Sequence, residues 1–169
     1  CEGAVVTFNY TGTTGLGWTY NWDFGTGATP AISSSQTPGS VMYSTAGTKT
    51  ITLTVTNDIC SQAITGTIII NPLPLANAGK DTVICNNVSV QIGDTAVAGN
   101  TYSWFPTNTL SNAGIANPIA SPIAPITIYI VTVTDTATGC TTTDSAVVTM
   151  LFPLVSNAGA DVEICIYDS

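Results

Sequence analysis

Asn77-Ala78-Gly79-Lys80-Asp81-Thr82-Val83-Ile84-Cys85 returns as Asn157-Ala158-Gly159-Ala160-Asp161-Val162-Glu163-Ile164-Cys165, with six identities at a constant offset of 80. Self-similarity at that period is longer than the repeat of a helical solenoid and close to the size of one small β-sandwich, so the chain reads as beads on a string. Other landmarks keep nearly the same step. Cys60 returns as Cys140, Tyr20 and Trp22 as Tyr102 and Trp104, and the Leu-Thr-Val-Thr-Asn run at 53–57 as Val-Thr-Val-Thr-Asp at 131–135. The phasing divides the chain into residues 1–72, a sandwich lacking its first strand; 73–152, a nearly whole one; and 153–169, the first strand of a third repeat, either truncated or donated to another subunit. Cys1 is in phase with Cys85 and Cys165, so the expectation is a window cut from a longer protein. An acylated lipoprotein terminus would also begin on cysteine, but it leaves the phasing unexplained.

Within each unit the hydrophobic pattern has period two. Ala4, Val6, Phe8 and Tyr10 share one face, as do Trp18, Tyr20 and Trp22, and Ile51, Leu53 and Val55 alternate with threonines. The second unit repeats the pattern with Val88, Val90 and Ile92, then Tyr102 and Trp104, then Tyr129, Val131 and Val133, then Ala146 and Val148. Such alternation, rich in β-branched residues, marks half-buried strands, and breakers rich in Gly, Pro and Asn separate the runs. The predicted fold is all-β: tandem immunoglobulin-like sandwiches of about seven strands each. Asn71-Pro72-Leu73-Pro74-Leu75 reads as a short, stiff linker, because prolines restrict the backbone on both sides.

Only 7% of residues are charged, against roughly 25% in ordinary globular chains, and Lys49 and Lys80 face ten carboxylates for a net charge of −8. Nucleic acid and anionic membrane are poor partners for that surface, and no apolar run is long enough to insert in a bilayer. Solubility falls to Thr, Ser and Asn, as in secreted β-proteins.

Tyr20-Asn21-Trp22-Asp23-Phe24-Gly25-Thr26-Gly27, followed by Tyr43-Ser44-Thr45-Ala46-Gly47 and the Thr-rich run 50–57, resembles the signature of the polycystic-kidney-disease (PKD) domain. Thr26 stands where that family usually has Asp, and Tyr43 where His is frequent. The second unit, through Asn77 to Cys85, Tyr102-Ser103-Trp104, Ala116-Asn117-Pro118 and Asp135 to Cys140, resembles PKD-like or immunoglobulin-like repeats of giant surface proteins and gliding-motility adhesins of Bacteroidota. That resemblance implies export by the type IX route, a bacterial cell-surface or extracellular location, and a role in adhesion, spacing or fibre formation. It implies no catalysis. The partners to expect are neighbouring modules or copies of the chain in a fibre, and surface glycans.

Catalytic chemistry finds no support: there is no histidine, no Gly-x-Ser-x-Gly run and no Cys/His pairing to give a nucleophile its base. No cofactor is expected. Calcium is a weak candidate, since Asp23, Asp58, Asp81, Asp135 and Asp161 lie beside turns, where carboxylates cap backbone N–H groups, and the spaced Asp/Asn loop of a dedicated site is missing. Trp22 and Trp104 are expected in the core. Trp18, between Gly15 and Gly17, shares a face with Tyr20 and Trp22 and is expected to pack in the core with them; it is also the candidate for stacking on sugar, which would suit the alternative reading of a carbohydrate-binding accessory module on a secreted glycan-degrading enzyme. Thr82, Thr95, Thr136 and Ser145 sit in Asp-Ser/Thr-aliphatic tripeptides that resemble the O-glycan acceptor pattern of Bacteroidota. Asn9 and Asn87 match the N-glycan pattern. Val155, Asn157, Asp161 and Ile164 would carry strand donation. Ile128 and Ile130 should point outward if Tyr129, Val131 and Val133 point inward, giving either an apolar strip for lateral association or a proline-pinned edge strand covered by a loop.

Cys1, Cys60, Cys85, Cys140 and Cys165 lack the paired spacings of zinc ligands and are disulfide candidates of an oxidising compartment. Two pairings stand. Within modules, Cys1 with Cys60 and Cys85 with Cys140 close loops of near-equal length. In an immunoglobulin-like strand order those partners fall at opposite poles, whereas a head-to-tail rod brings Cys1 to Cys140 across the joint and leaves Cys85 for a module further along.

Overall fold

Thr alternating with Ile, Leu and Val builds one of the two ten-residue strands of the first half, and its inward residues help to set the core. In the computed structural model, which describes residues 1–152 and Gly159, every regular element is a strand. The donor-strand candidates Val155, Asn157, Asp161 and Ile164, together with Cys165 and the capping candidate Asp161, lie outside the described residues.

Seven strands form the first sandwich: β1 (Val5–Phe8), β2 (Thr19–Asp23), β3 (Ala28–Thr29), β4 (Ile32–Ser33), β5 (Gly39–Tyr43), β6 (Gly47–Thr56) and β7 (Ser61–Ile70). One sheet runs β1-β5-β3 and the other β4-β2-β6-β7. Strands β6 and β7 pair over their whole length, from Gly47 opposite Ile70 to Thr56 opposite Ser61. The inner faces enclose Trp22, Phe24, Val41, Tyr43, Ile51, Leu53 and Ile70. Phe8, Trp22 and Phe24 form a mutual cluster, with the Phe24 ring centroid 5.1 Å from Phe8 and 5.9 Å from Trp22 and the other two 6.1 Å apart. Trp22 and Tyr43 keep their polar atoms satisfied, Nε1 donating to the Ser35 carbonyl at 3.0 Å and the Tyr43 hydroxyl to the Phe24 carbonyl at 3.0 Å. Burial pushes the Tyr43 phenol above its ordinary pKa. Lys49 is buried, its Nζ donating to Thr45 Oγ1 at 2.8 Å and lying 6.0 Å from the Tyr43 ring centroid.

The second sandwich has six strands and one extra bridge: β8 (Thr82–Cys85), β9 (Val90–Gln91), β10 (Asn100–Phe105), β11 (Ile119–Ala120), β12 (Ile126–Asp135) and β13 (Thr141–Leu151), with Leu110 bridging to Ala120. Its large sheet runs β10-β12-β13-β8, and β8 lies parallel to β13, with Thr82 to Cys85 beside Val148 to Leu151. The small sheet pairs β9 with β11. Trp104, 1% exposed, is the largest side chain of a core that also holds Ile84, Ile92, Tyr129, Val131, Val133, Val148 and Met150, and its Nε1 donates to the Ile115 carbonyl at 2.8 Å. Strand β12 is central, bonded to both β10 and β13, so the edge-strand reading of this segment is corrected. Pro118, Pro122 and Pro125 all precede Ile126, where the strand begins, and therefore remove no ladder donor. Ile126, Ile128 and Ile130 point outward and are exposed.

The two cores share no residue, and Ala76 is the first residue after Ile70 to pack on the second. Among the described residues, no helix is long and apolar enough to cross a membrane.

Candidate functional site: the joint between the sandwiches

The bonds that tie one sandwich to the other gather at the joint. Its centre is a disulfide between Cys1 and Cys140, with Cα atoms 5.6 Å apart and 139 residues of sequence between them. Cys140 closes the turn between β12 and β13. Cys1 precedes Glu2, whose N–H donates to the carbonyl of Asn71 at 2.9 Å, one residue past the end of β7. The within-module alternative is ruled out by that placement. Cys60 is at the β6–β7 turn, and ten paired residues separate that turn from the end of β7, roughly 33 Å at the strand rise, far beyond the reach of a disulfide.

A carboxylate holds the near side of the joint. Glu2 Oε1 accepts from the Ala46 N–H at 2.7 Å and Oε2 from the Leu73 N–H at 3.4 Å, so one side chain ties the β5–β6 turn to the linker. Gly3 N–H donates to the Tyr43 carbonyl at 2.8 Å. On the far side, the turn bearing Cys140 is fixed by Asp135, whose Oδ1 accepts the N–H groups of Ala137 and Thr138, both at 2.9 Å. Thr136 donates twice to the Gly99 carbonyl, through N–H and Oγ1, each at 2.8 Å.

The linker enters the second sandwich through the repeated nonapeptide, which is tied to that sandwich by a series of hydrogen bonds. Asn77 Nδ2 donates to Asp94 Oδ2 at 2.8 Å, and Asn77 Oδ1 accepts from the Gly79 N–H at 3.0 Å. Ala78 N–H donates to Asp144 Oδ2 at 2.8 Å, and its carbonyl accepts from the Gly93 N–H at 2.8 Å. Asp81 Oδ1 accepts the Val147 N–H at 2.9 Å. The expected turn cap at Asp81 is therefore corrected to an anchor on β13. Asp23, by contrast, does cap its turn, accepting the Gly25 N–H at 2.9 Å.

Glu2, Asp94 and Asp144 were not singled out by the sequence, because each accepts from a distant or unpatterned donor. The one available signal was Asp144 itself, a carboxylate within a strand of otherwise neutral residues. The N–H of Thr95 and then the Asn77 amide hold the Asp94 carboxyl below its ordinary pKa, and the N–H of Thr138 does the same to Asp135. Because the folded values lie below the unfolded ones, this stabilisation is complete above the unfolded value and is lost as pH falls through the folded one. Urea midpoints should hold between pH 7 and about 5 and decline below about pH 4, near the free carboxyl value. A midpoint that rises on acidification would contradict the assignment.

Among the described residues, no group of three or more His, Cys, Asp or Glu side chains is placed to hold a metal ion. Thr82, Thr95 and Thr136 direct their hydroxyls to Lys80, Asp94 and Gly99, and Ser145 is exposed on β13. The carboxylates of all four tripeptides are engaged in the backbone or linker bonds above, except that Asp94 also accepts from its own neighbour Thr95. Trp18 is half-buried at the rim of a cavity of about 300 Å3 that is also lined by Tyr10, Thr13, Asn57, Cys60 and Gln62.

Residues 1–69 match the family model described as the PKD domain. No match is found among curated proteins. Solved structures similar to the chain include the titin domains Z1Z2 in complex with telethonin, at 14% identity over 90% of this chain and 91% of that one with a TM-score of 0.33. The fibronectin(III)-like modules of Clostridium thermocellum CbhA match at 11% identity over 95% and 92% with a TM-score of 0.33. Sidekick-1 immunoglobulin domains match at 10% identity over 80% and 33% with a TM-score of 0.34. The fold is PKD-like and immunoglobulin-like, built from tandem β-sandwiches.

Proposed function

We propose that this chain is a non-catalytic segment of an extracellular adhesin or surface filament, in which sandwiches joined by short linkers act as a stiff spacer or fibre-forming module at a bacterial cell surface. The observation that carries the reading is the Cys1–Cys140 bond, which lies outside both cores and joins one sandwich to the next. A bond within one sandwich would add stability to that unit alone, whereas a bond across a joint fixes direction. Together with Pro72, Pro74 and the Glu2 carboxylate it removes the freedom that neighbouring domains otherwise have.

Small-angle scattering tests this. The oxidised chain should be a straight particle about 70 Å long, two sandwiches of ten-residue strands end to end, and a Cys1→Ser variant should show a broader range of shapes. An oxidised chain as variable as the variant would refute the spacer role.

The cavity beside Trp18 favours a second reading, an accessory carbohydrate-binding module of a secreted glycan-degrading enzyme, because an aromatic ring among Thr13, Asn57 and Gln62 suits a sugar face and its hydroxyls. The spacer reading expects a glycan array to give no signal that depends on Trp18. Specific binding abolished by Trp18→Ala would decide for the accessory module. O-glycans on Thr82, Thr95, Thr136 and Ser145 would shield a surface so poor in charge, and their added mass on the natively expressed chain is the corresponding check.

A further inference from the structure

The poles of the two sandwiches that face away from the joint repeat its two halves. Cys60 holds the place of Cys140: Asn57 N–H donates to the Cys60 carbonyl at 2.9 Å, as Asp135 N–H does to the Cys140 carbonyl at 2.9 Å. Asn57 Oδ1 accepts from the N–H groups of Ile59 and Cys60 at 3.0 and 2.7 Å, doing for that turn what Asp135 does for the other. Cys85 holds the place of Cys1. Asn86 N–H donates to the Leu151 carbonyl at 2.9 Å, as Glu2 N–H does to the Asn71 carbonyl.

The sequence offset and the hydrogen bonds thus give the same equivalence, and one member of each type is already bonded to the other. The difference lies in cover. Cys140 is 1% exposed, whereas Cys60 and Cys85 are both exposed free thiols. Each free thiol lies beside exposed apolar side chains: Ile59 next to Cys60 is 90% exposed, and Leu151 and Phe152 line a hollow of about 220 Å3 with Cys85, Asn86 and Asn87. Exposed apolar side chains at both ends of a rod suit the burial that a second copy would provide.

We propose that two copies of this chain associate end to end, the Cys85 pole of one seated on the Cys60 pole of the next, and that a Cys85–Cys60 disulfide reproduces the internal Cys1–Cys140 staple. The contact is heterologous, so it propagates as a filament and does not close as a dimer. In chemical terms the two Sγ atoms form one bond, and their two protons and two electrons convert one glutathione disulfide to two glutathione thiols by successive thiolate attacks. This rests on the reading of the chain as a linear segment and extends it to assembly.

The test uses the full chain with Cys165→Ser, which leaves two free thiols. In a glutathione redox buffer this chain should give a ladder of covalent oligomers on non-reducing gels, with a Cys60–Cys85 linked peptide by mass spectrometry. Cys60→Ser and Cys85→Ser variants, each alone, should stay monomeric, and their mixture should yield at least tenfold more dimer than either alone. Equal dimer in the separate variants, or none in the mixture, overturns the proposal. Scattering from the monomeric variants reads the spacer role separately: a straight monomer without mixed dimers sinks the assembly and leaves the spacer, and a flexible one sinks the spacer.

Discussion

Replacing Cys1 with serine should lower the stability of the chain by about 5 kcal/mol in the chain-entropy model, since the bond closes a loop with a sequence separation of 139 residues. The loop encloses the first sandwich and the second up to the start of β13. While the bond is intact, unfolding either one leaves a tethered chain with fewer conformations, so both gain from it. Urea titration of the oxidised protein, the reduced protein and the variant provides the measurement. The last two should coincide, with lower midpoints and a separation of the transitions of the two sandwiches. An oxidised protein that unfolds at the same midpoint as the reduced one would show that the joint contributes nothing to stability.

Gly93→Val should act on the second sandwich alone. Gly93 has φ of +82°, and a Cβ there would collide with the Ala116 carbonyl oxygen and come within 2.9 Å of the Trp104 ring. The positive φ costs a branched residue about 1–3 kcal/mol, and forcing volume against a fixed backbone about as much again. Neither obstacle can step aside. The carbonyl belongs to the Ala116-Asn117-Pro118 segment, whose Ala116 and Pro118 are buried, and Trp104 is held by its bond to Ile115. A loss of about 4 kcal/mol is expected, seen as early unfolding of the Trp104 environment, with the Trp22 environment unchanged. Parallel loss of both would mean that the two cores, which share no residue, are coupled through the joint.

Most of the strand content was legible because Thr against Ile, Leu and Val leaves period two unmistakable on β6 and β12, and alternating aromatics do the same on β2 and β10, from which the inward tryptophans followed. The placement of Trp18, half-buried at a cavity rim, also follows the graded burial of Trp18, Tyr20 and Trp22 along one face. Less legible was anything set by a single long-range bond. Nothing in the sequence says that Glu2 will reach both Ala46 and Leu73, or that Asp94 and Asp144 receive Asn77 and Ala78. Carboxylates on a charge-poor chain suggested turns, because the local cap is the commonest use of a lone aspartate, and Asp81 was misplaced for that reason. Prolines near the isoleucine run suggested an edge, yet they stop at Pro125, one residue short of the strand, and β12 is central. The nonapeptide recurrence was visible from the first, but its cause was not: Asn77, Ala78, Gly79 and Asp81 are kept because each fills a bonding place where linker becomes sandwich.

Lys80, one of two basic residues, is exposed in that linker segment, while Lys49 is buried in the first sandwich. A secreted protease that cleaves after lysine therefore finds its accessible bond just past the joint. Severing the polypeptide there does not part the two halves, since the sulfur bridge from residue 1 to residue 140 spans the cut. A nicked molecule keeps its continuity, because the joint offers a second covalent route around the cut bond.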